Sequence, residues 1–170
     1  MPPKILPGLP AYGTPATTFS ADGTGSHAEG LVIDFHGEWI GNFAKGKTDY
    51  DALLFSQAAP DCAHVVSGGN HFIVDVTGKS AVLTARDWIG ASIFSRSAGL
   101  VIVFDLAHAI AYSGCRKLWE SERIGWDGIR SVSEVGAEVR GMAYDPFADT
   151  WGSFTLDPAT GKLAQGKYPS

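Results

Sequence analysis

From Glu29 onward the chain is a succession of short apolar runs, rich in Val, Ile, Phe and Thr, set between Gly, Asp, Asn and Ser clusters. Runs this brief fit β-strands and are too short for most helices. Leu31, Ile33 and Phe35 alternate with Val32, Asp34 and His36, the pattern of a strand with one apolar face. His64-Val65-Val66 and His71-Phe72-Ile73-Val74 flank Gly68-Gly69, which predicts a hairpin about a glycine turn.

A helix competes in one place. Residues 100–113 are apolar nearly throughout and lie between Gly99 and Gly114. Asp105 followed by Ala107, Ala109 and Ala111 would allow a helix. The strand-and-turn texture on both sides favours two strands, Leu100 to Phe104 and Ala107 to Tyr112. The expected fold class is all-β, an antiparallel meander of short strands arranged as propeller-like blades or as a two-sheet sandwich or barrel.

Pro2, Pro3, Pro7, Pro10 and Pro15 crowd the first 15 residues. Proline has no amide proton and a fixed φ, which forbids a helix or a central strand there. Residues 1–28 therefore read as an irregular Pro/Gly/Ser/Thr-rich arm, a strap held by Ile5, Leu6, Leu9 and Tyr12 or a mobile segment. Residues 29–170 read as a single all-β domain. Its expected core comprises Leu31, Ile33, Trp39, Phe43, Phe72, Val74, Ile102, Phe104, Leu118, Trp126, Met142, Trp151 and Phe154.

The formal net charge is −5, against the basic face of a nucleic-acid binder. The sequence shows no apolar stretch of bilayer-crossing length and no signal-like leader, so no nucleic-acid or membrane partner is expected and a cytoplasmic location is. Cys62 and Cys115 stand alone, without a CxxC pair, and read as buried free thiols of a reducing compartment. Parity also permits one disulfide.

A strand ending in Asp and followed by Thr-Gly recurs loosely, at Phe72 to Lys79 and at Phe154 to Lys162, with a weaker copy at Ile110 to Gly114. Gly78, Gly114 and Gly161 are spaced near the roughly 40 to 50 residues of a four-stranded blade. Ordinary hairpins use the same turn.

Three segments carry a family resemblance: Trp39-Ile40-Gly41-Asn42-Phe43, the run from Trp119 to Ile129, and Asp145 to Asp157 around Trp151. The chain resembles a group of bacterial all-β proteins with a WVGNF-like strand, a W-x-S-x-R-I-S-W-D-G-I segment and a W-x-P-F-x-x-D-x-x-T-G ending. It departs from that pattern at Gly125, at Gly152-Ser153 and in its Lys167-Tyr168-Pro169-Ser170 tail. No established activity comes with the group. The resemblance implies a bacterial origin and a β fold, and transfers no catalytic residue.

Candidate chemistry is sparse. Asp34, His36 and Glu38 would share one strand face as a carboxylate–imidazole–carboxylate set, although Gly37 can turn the chain before Glu38 and a wet strand face looks the same. His64 and His71 could meet across their hairpin, but a metal site needs a third ligand. Asp75, the nearest, reads as a turn cap. Residues 41–48 match the phosphate-loop string G-x-x-x-x-G-K-T, yet no strand-to-helix context follows. Catalytic residues are therefore expected to be none, and cofactors none.

The densest polar–aromatic cluster lies at residues 121–128. Arg123, Trp126 and Asp127, with Trp151, are the expected binding residues, because Arg and Trp dominate interface hot spots. The leading expectation is a non-catalytic protein-recognition protein, inhibitor- or immunity-like, with a protein partner or a second copy. The alternative is a metal-dependent enzyme or small-ligand binder on Asp34/His36 or His64/His71.

Overall fold

A computed structural model of the chain describes residues 3–25, 29–56 and 59–166. Sixteen strands form four four-stranded sheets, and no helix occurs among the described residues. The first sheet holds β1 (Lys4–Leu6), β2 (Ala16–Phe19), β3 (Gly30–Phe35) and β4 (Trp39–Ala44) in the order β1-β3-β4-β2. The second is a meander of β5 (Ala52–Ser56), β6 (Ala59–Ser67), β7 (Asn70–Asp75) and β8 (Ser80–Ala85). The third runs through β9 (Ala91–Ser95), β10 (Leu100–Phe104), β11 (Ala109–Ser113) and β12 (Arg116–Glu120). The fourth runs through β13 (Ile129–Val135), β14 (Glu138–Asp145), β15 (Thr150–Leu156) and β16 (Leu163–Gln165). All strand pairs are antiparallel except β2 with β4.

Three apolar cores join consecutive sheets. Ile33, Phe35, Trp39 and Phe43 of the first sheet meet Val65, Phe72 and Val74 of the second. Val66 meets Val101, Val103 and Tyr112 between the second and third. Ile102 and Phe104 meet Ile129, Val139, Phe154 and Leu156 between the third and fourth. Strand β10 is buried at all five positions because its two faces serve different cores, Val101 and Val103 one way, Leu100, Ile102 and Phe104 the other. That is why residues 100–113 look apolar throughout. The helix alternative falls at Asp105, whose carboxylate takes the amides of Ala107 and His108 at 2.7 and 2.6 Å and turns the chain.

The N-terminal arm is more regular than expected. Over residues 3–25 it supplies β1 and β2, both at the edges of the first sheet, where proline is tolerated. It packs through Phe19, which stacks on Phe43 with ring centroids 5.2 Å apart. Leu6 is half-buried, whereas Ile5, Leu9 and Tyr12 are exposed. Residues 1–2 and 26–28 of that arm lie outside the described residues.

Of the three copies of the strand–turn signal, only Phe72 to Lys79 belongs to a turn type that recurs in the fold. Four-residue loops follow Asp75, Ser95 and Asp145, and the fourth loop residue, Lys79, Gly99 or Asp149, has φ of 52°, 69° or 50°. The residue before each loop accepts a loop amide on its side chain, from Gly78 to Asp75 at 2.7 Å, from Ala98 to Ser95 at 3.3 Å and from Phe147 to Asp145 at 2.9 Å. These loops occupy different places in their sheets. Gly114 sits instead in a two-residue turn and Gly161 in the β15–β16 connection, so the glycine spacing does not measure a blade. The first strands of the last three sheets do recur evenly, starting at Ala52, Ala91 and Ile129.

Leu31 is half-buried at the margin of the first core, and four other expected core residues are corrected. Leu118 is 40% exposed, and Trp126, Met142 and Trp151 are only half-buried. On β14 the inward positions are Val139, Gly141 and Ala143, so Met142 faces away by the two-residue period of a strand. Gly141 leaves room for Phe154, whose ring lies 2.6 Å from where a Cβ would stand.

Candidate functional site

The two cysteines form a disulfide, Cα atoms 5.6 Å apart, which corrects the free-thiol expectation. Cys62 and His64 sit two apart on β6, on the face turned toward the third sheet. Cys115 and Gly114 form the β11–β12 turn opposite, so the disulfide and a hydrogen bond from His64 Nε2 to the Gly114 carbonyl (2.9 Å) cross the same gap.

His64 and His71 do meet across the Gly68-Gly69 hairpin, with Nδ1 of the first 3.0 Å from Nε2 of the second and both side chains fully buried. Thr84 Oγ1 lies 2.6 Å from His71 Nδ1, and both rings pack against Tyr112. A carbonyl only accepts, so His64 must carry its proton on Nε2, which leaves Nδ1 to accept from His71 Nε2–H. His71 Nδ1 then accepts the Thr84 hydroxyl proton. Burial holds His64 below the usual imidazole range; burial, then repulsion from His64, holds His71 at about 3. All four ring nitrogens are thus engaged.

The other titratable candidates do not assemble. Strand β3 ends at Phe35, and His36, with φ of 60°, stands in the hairpin loop beyond it. Asp34 Oδ1 instead accepts the Gly37 amide at 2.8 Å, so Asp34, His36 and Glu38 do not share a strand face. Asp75 caps its turn as expected. Among the described residues no group of three His, Cys, Asp or Glu is placed to hold a metal ion.

The phosphate-loop string has a structural reason. Gly41 is inside β4, and Gly46 threads past the β6–β7 turn, where an added Cβ would stand 2.4 Å from the Gly68 carbonyl oxygen. The amides of Gly46 and Thr48 bond to Ser67 and Gly68 carbonyls at 3.0 Å, so the string clasps a hairpin and opens no helix.

Arg123, Trp126, Asp127 and Trp151 gather around Tyr144 on the fourth sheet. The Arg123 guanidinium lies 4.1 Å from the Trp126 ring centre, and that of Arg130 lies 3.8 Å from Trp151. Tyr144 packs on Trp151 at 5.3 Å, and its carbonyl accepts the Trp126 amide at 3.3 Å. Its hydroxyl donates to Asp149 at 2.5 Å. That bond, with burial and the nearby Asp149, Asp127 and Asp145 charges, raises the phenol. Phe147 meets Trp126 edge-to-face at 5.6 Å while remaining 83% exposed. Among the described residues neither Arg123 nor Arg130 has a carboxylate within ion-pair distance. Sequence reasoning missed Phe147, Tyr144 and Arg130, although an aromatic inside the Asp145–Asp149 turn is itself a signal.

The class this fold and surface define is an all-β protein of four serially packed sheets with an aromatic–arginine face. Comparison with family models, with curated proteins and with solved structures finds no match.

Proposed function

We propose that this chain is a non-catalytic recognition protein that binds another protein through the Arg123–Trp126–Phe147 and Tyr144–Trp151–Arg130 surface. The observation that carries the reading is the pairing of two indoles, each stacked by a guanidinium with no carboxylate partner among the described residues, beside an almost fully solvated Phe147. Trp, Tyr and Arg are the residue types that dominate interface energetics, and stacking fixes the guanidinium planes before a partner arrives. One face of each indole is already covered, which favours a protein partner with an apolar pocket for Phe147 over a flat ligand stacking on bare rings.

The even recurrence of β5, β9 and β13 supports reading the sheets as blade-like units. An inter-sheet disulfide supports maturation in an oxidising compartment over the cytoplasm expected from the sequence. An inhibitor- or immunity-like role remains the concrete form of the proposal.

A photoactivatable amino acid at position 147, compared with one at the similarly exposed position 82, tests the surface in the cell. A discrete crosslinked protein at 147 and none at 82 is the expected result. Equal labelling at both positions, or none at 147, overturns the reading.

A further inference from the structure

The second and third sheets approach most closely where β5 meets β9 and β10, and between their outer strands, β7 and β8 on one side and β11 and β12 on the other, lies a groove of about 720 Å³. Ile73, Val82 and Ile110 form its apolar walls, Tyr112 and Thr84 its polar floor, and the Lys117–Glu120 ion pair (2.6 Å) its rim. The volume is in the range of small-molecule sites, and an apolar cleft with few convergent polar groups is their usual form.

The buried histidines determine what that floor offers. Because the Gly114 carbonyl forces every proton in the chain one way, the single Thr84 hydroxyl proton goes to His71 Nδ1 at 2.6 Å in preference to the His71 carbonyl at 3.2 Å. Thr84 Oγ1 therefore only accepts from its surroundings, taking one hydrogen bond from the Tyr112 hydroxyl and keeping one lone pair for the groove. Asp75 and Glu120 add two carboxylates to the lining against one ammonium, Lys117. Acceptors and a net negative charge surround an apolar bed.

We propose that this groove binds a small aryl-alkyl amine, its ammonium donating to Thr84 Oγ1 and the acidic side of the rim, its apolar body lying on Ile73, Val82 and Ile110. The site is separate from the aromatic–arginine face and stands whether or not that face binds a protein.

The test is a titration of the full chain with 2-phenylethylamine, followed by amide and imidazole shifts in ¹H–¹⁵N spectra. Saturable shifts at Thr84, Tyr112 and Ile110 are expected. 3-Phenylpropionate, the same body with a carboxylate, and a capped lysine, the ammonium without the aryl body, each bind at least tenfold more weakly. Val82→Trp fills the groove from a position 66% exposed and outside the histidine chain, so the fold is retained while amine affinity falls at least tenfold. Equal binding of the carboxylate or the capped lysine, amine shifts confined to other surfaces, or full affinity in Val82→Trp would overturn the proposal.

Discussion

His64 Nδ1 accepts a hydrogen bond from His71 Nε2 at 3.0 Å inside the interface of the second and third sheets, and neither side chain touches solvent. Two neutral imidazoles in that position make folding sensitive to acid. The folded chain resists protonation at His71 down to about 3, whereas the unfolded chain takes a proton near 6.5. Between those values the unfolded state binds more protons, so stability falls as pH falls. Denaturant unfolding at pH 7, 6, 5 and 4 should show a decline approaching about 1.4 kcal/mol per pH unit from His71, with His64 adding in the same direction. A flat profile over this interval contradicts the neutral pair.

The Cys62–Cys115 disulfide closes a long loop between sheets that otherwise meet through side chains. The Cys62→Ala/Cys115→Ala double variant should lose about 2 to 5 kcal/mol. It should also loosen the Gly114 turn, seen as faster amide exchange at residues 113–116. Unchanged stability under oxidising conditions would mean that the bond adds nothing to the fold.

Glu134 on β13 reaches across to the β9–β10 turn of the third sheet. It accepts from the hydroxyls of Ser95 and Ser97 and the amides of Arg96 and Ser97 at 2.7 to 3.2 Å. Burial alone would raise its carboxyl, but these four donors outweigh it and hold the group at about 2. Its contribution is present above the ordinary glutamate value and is lost as pH falls through the interval from about 4.5 to 2. Glu134→Gln should flatten the acid limb over that interval, and Glu134→Ala should cost about 1 to 3 kcal/mol. Thermal unfolding at pH 7 and pH 3 reads both.

Core and surface aromatics should separate cleanly. Phe104→Ala empties a fully buried site and should cost about 3 to 5 kcal/mol. Phe147→Ala should stay within about 0.5 kcal/mol, since its ring is largely in water. Trp126→Ala and Trp151→Ala should fall between these limits. Parallel urea titrations of the four variants rank them directly.

Much of the fold was legible because strand period and turn chemistry are local. The alternation of Leu31, Ile33 and Phe35, the Gly68-Gly69 hairpin and the cap at Asp75 all appear where those residues require them. Errors arose where the outcome depends on distant partners. Cys62 and Cys115 pair because sheet packing brings β6 onto the β11–β12 turn, which spacing along the chain does not encode. Val139 and Met142 look like one apolar face in composition, but three residues along a strand is an odd step and puts them on opposite sides. On the proposed surface, Arg123, Trp126, Asp127 and Trp151 stand out in the sequence by residue type alone. Phe147, Tyr144 and Arg130 join them only through the pairing of β13, β14 and β15.

The most direct test of the recognition surface is the dissociation constant of the partner captured at position 147, measured for the wild-type chain, Phe147→Ala and Trp126→Ala. At least a tenfold weakening in each variant, with the melting temperature of Phe147→Ala unchanged, is the predicted result. Wild-type affinity in both variants would contradict it.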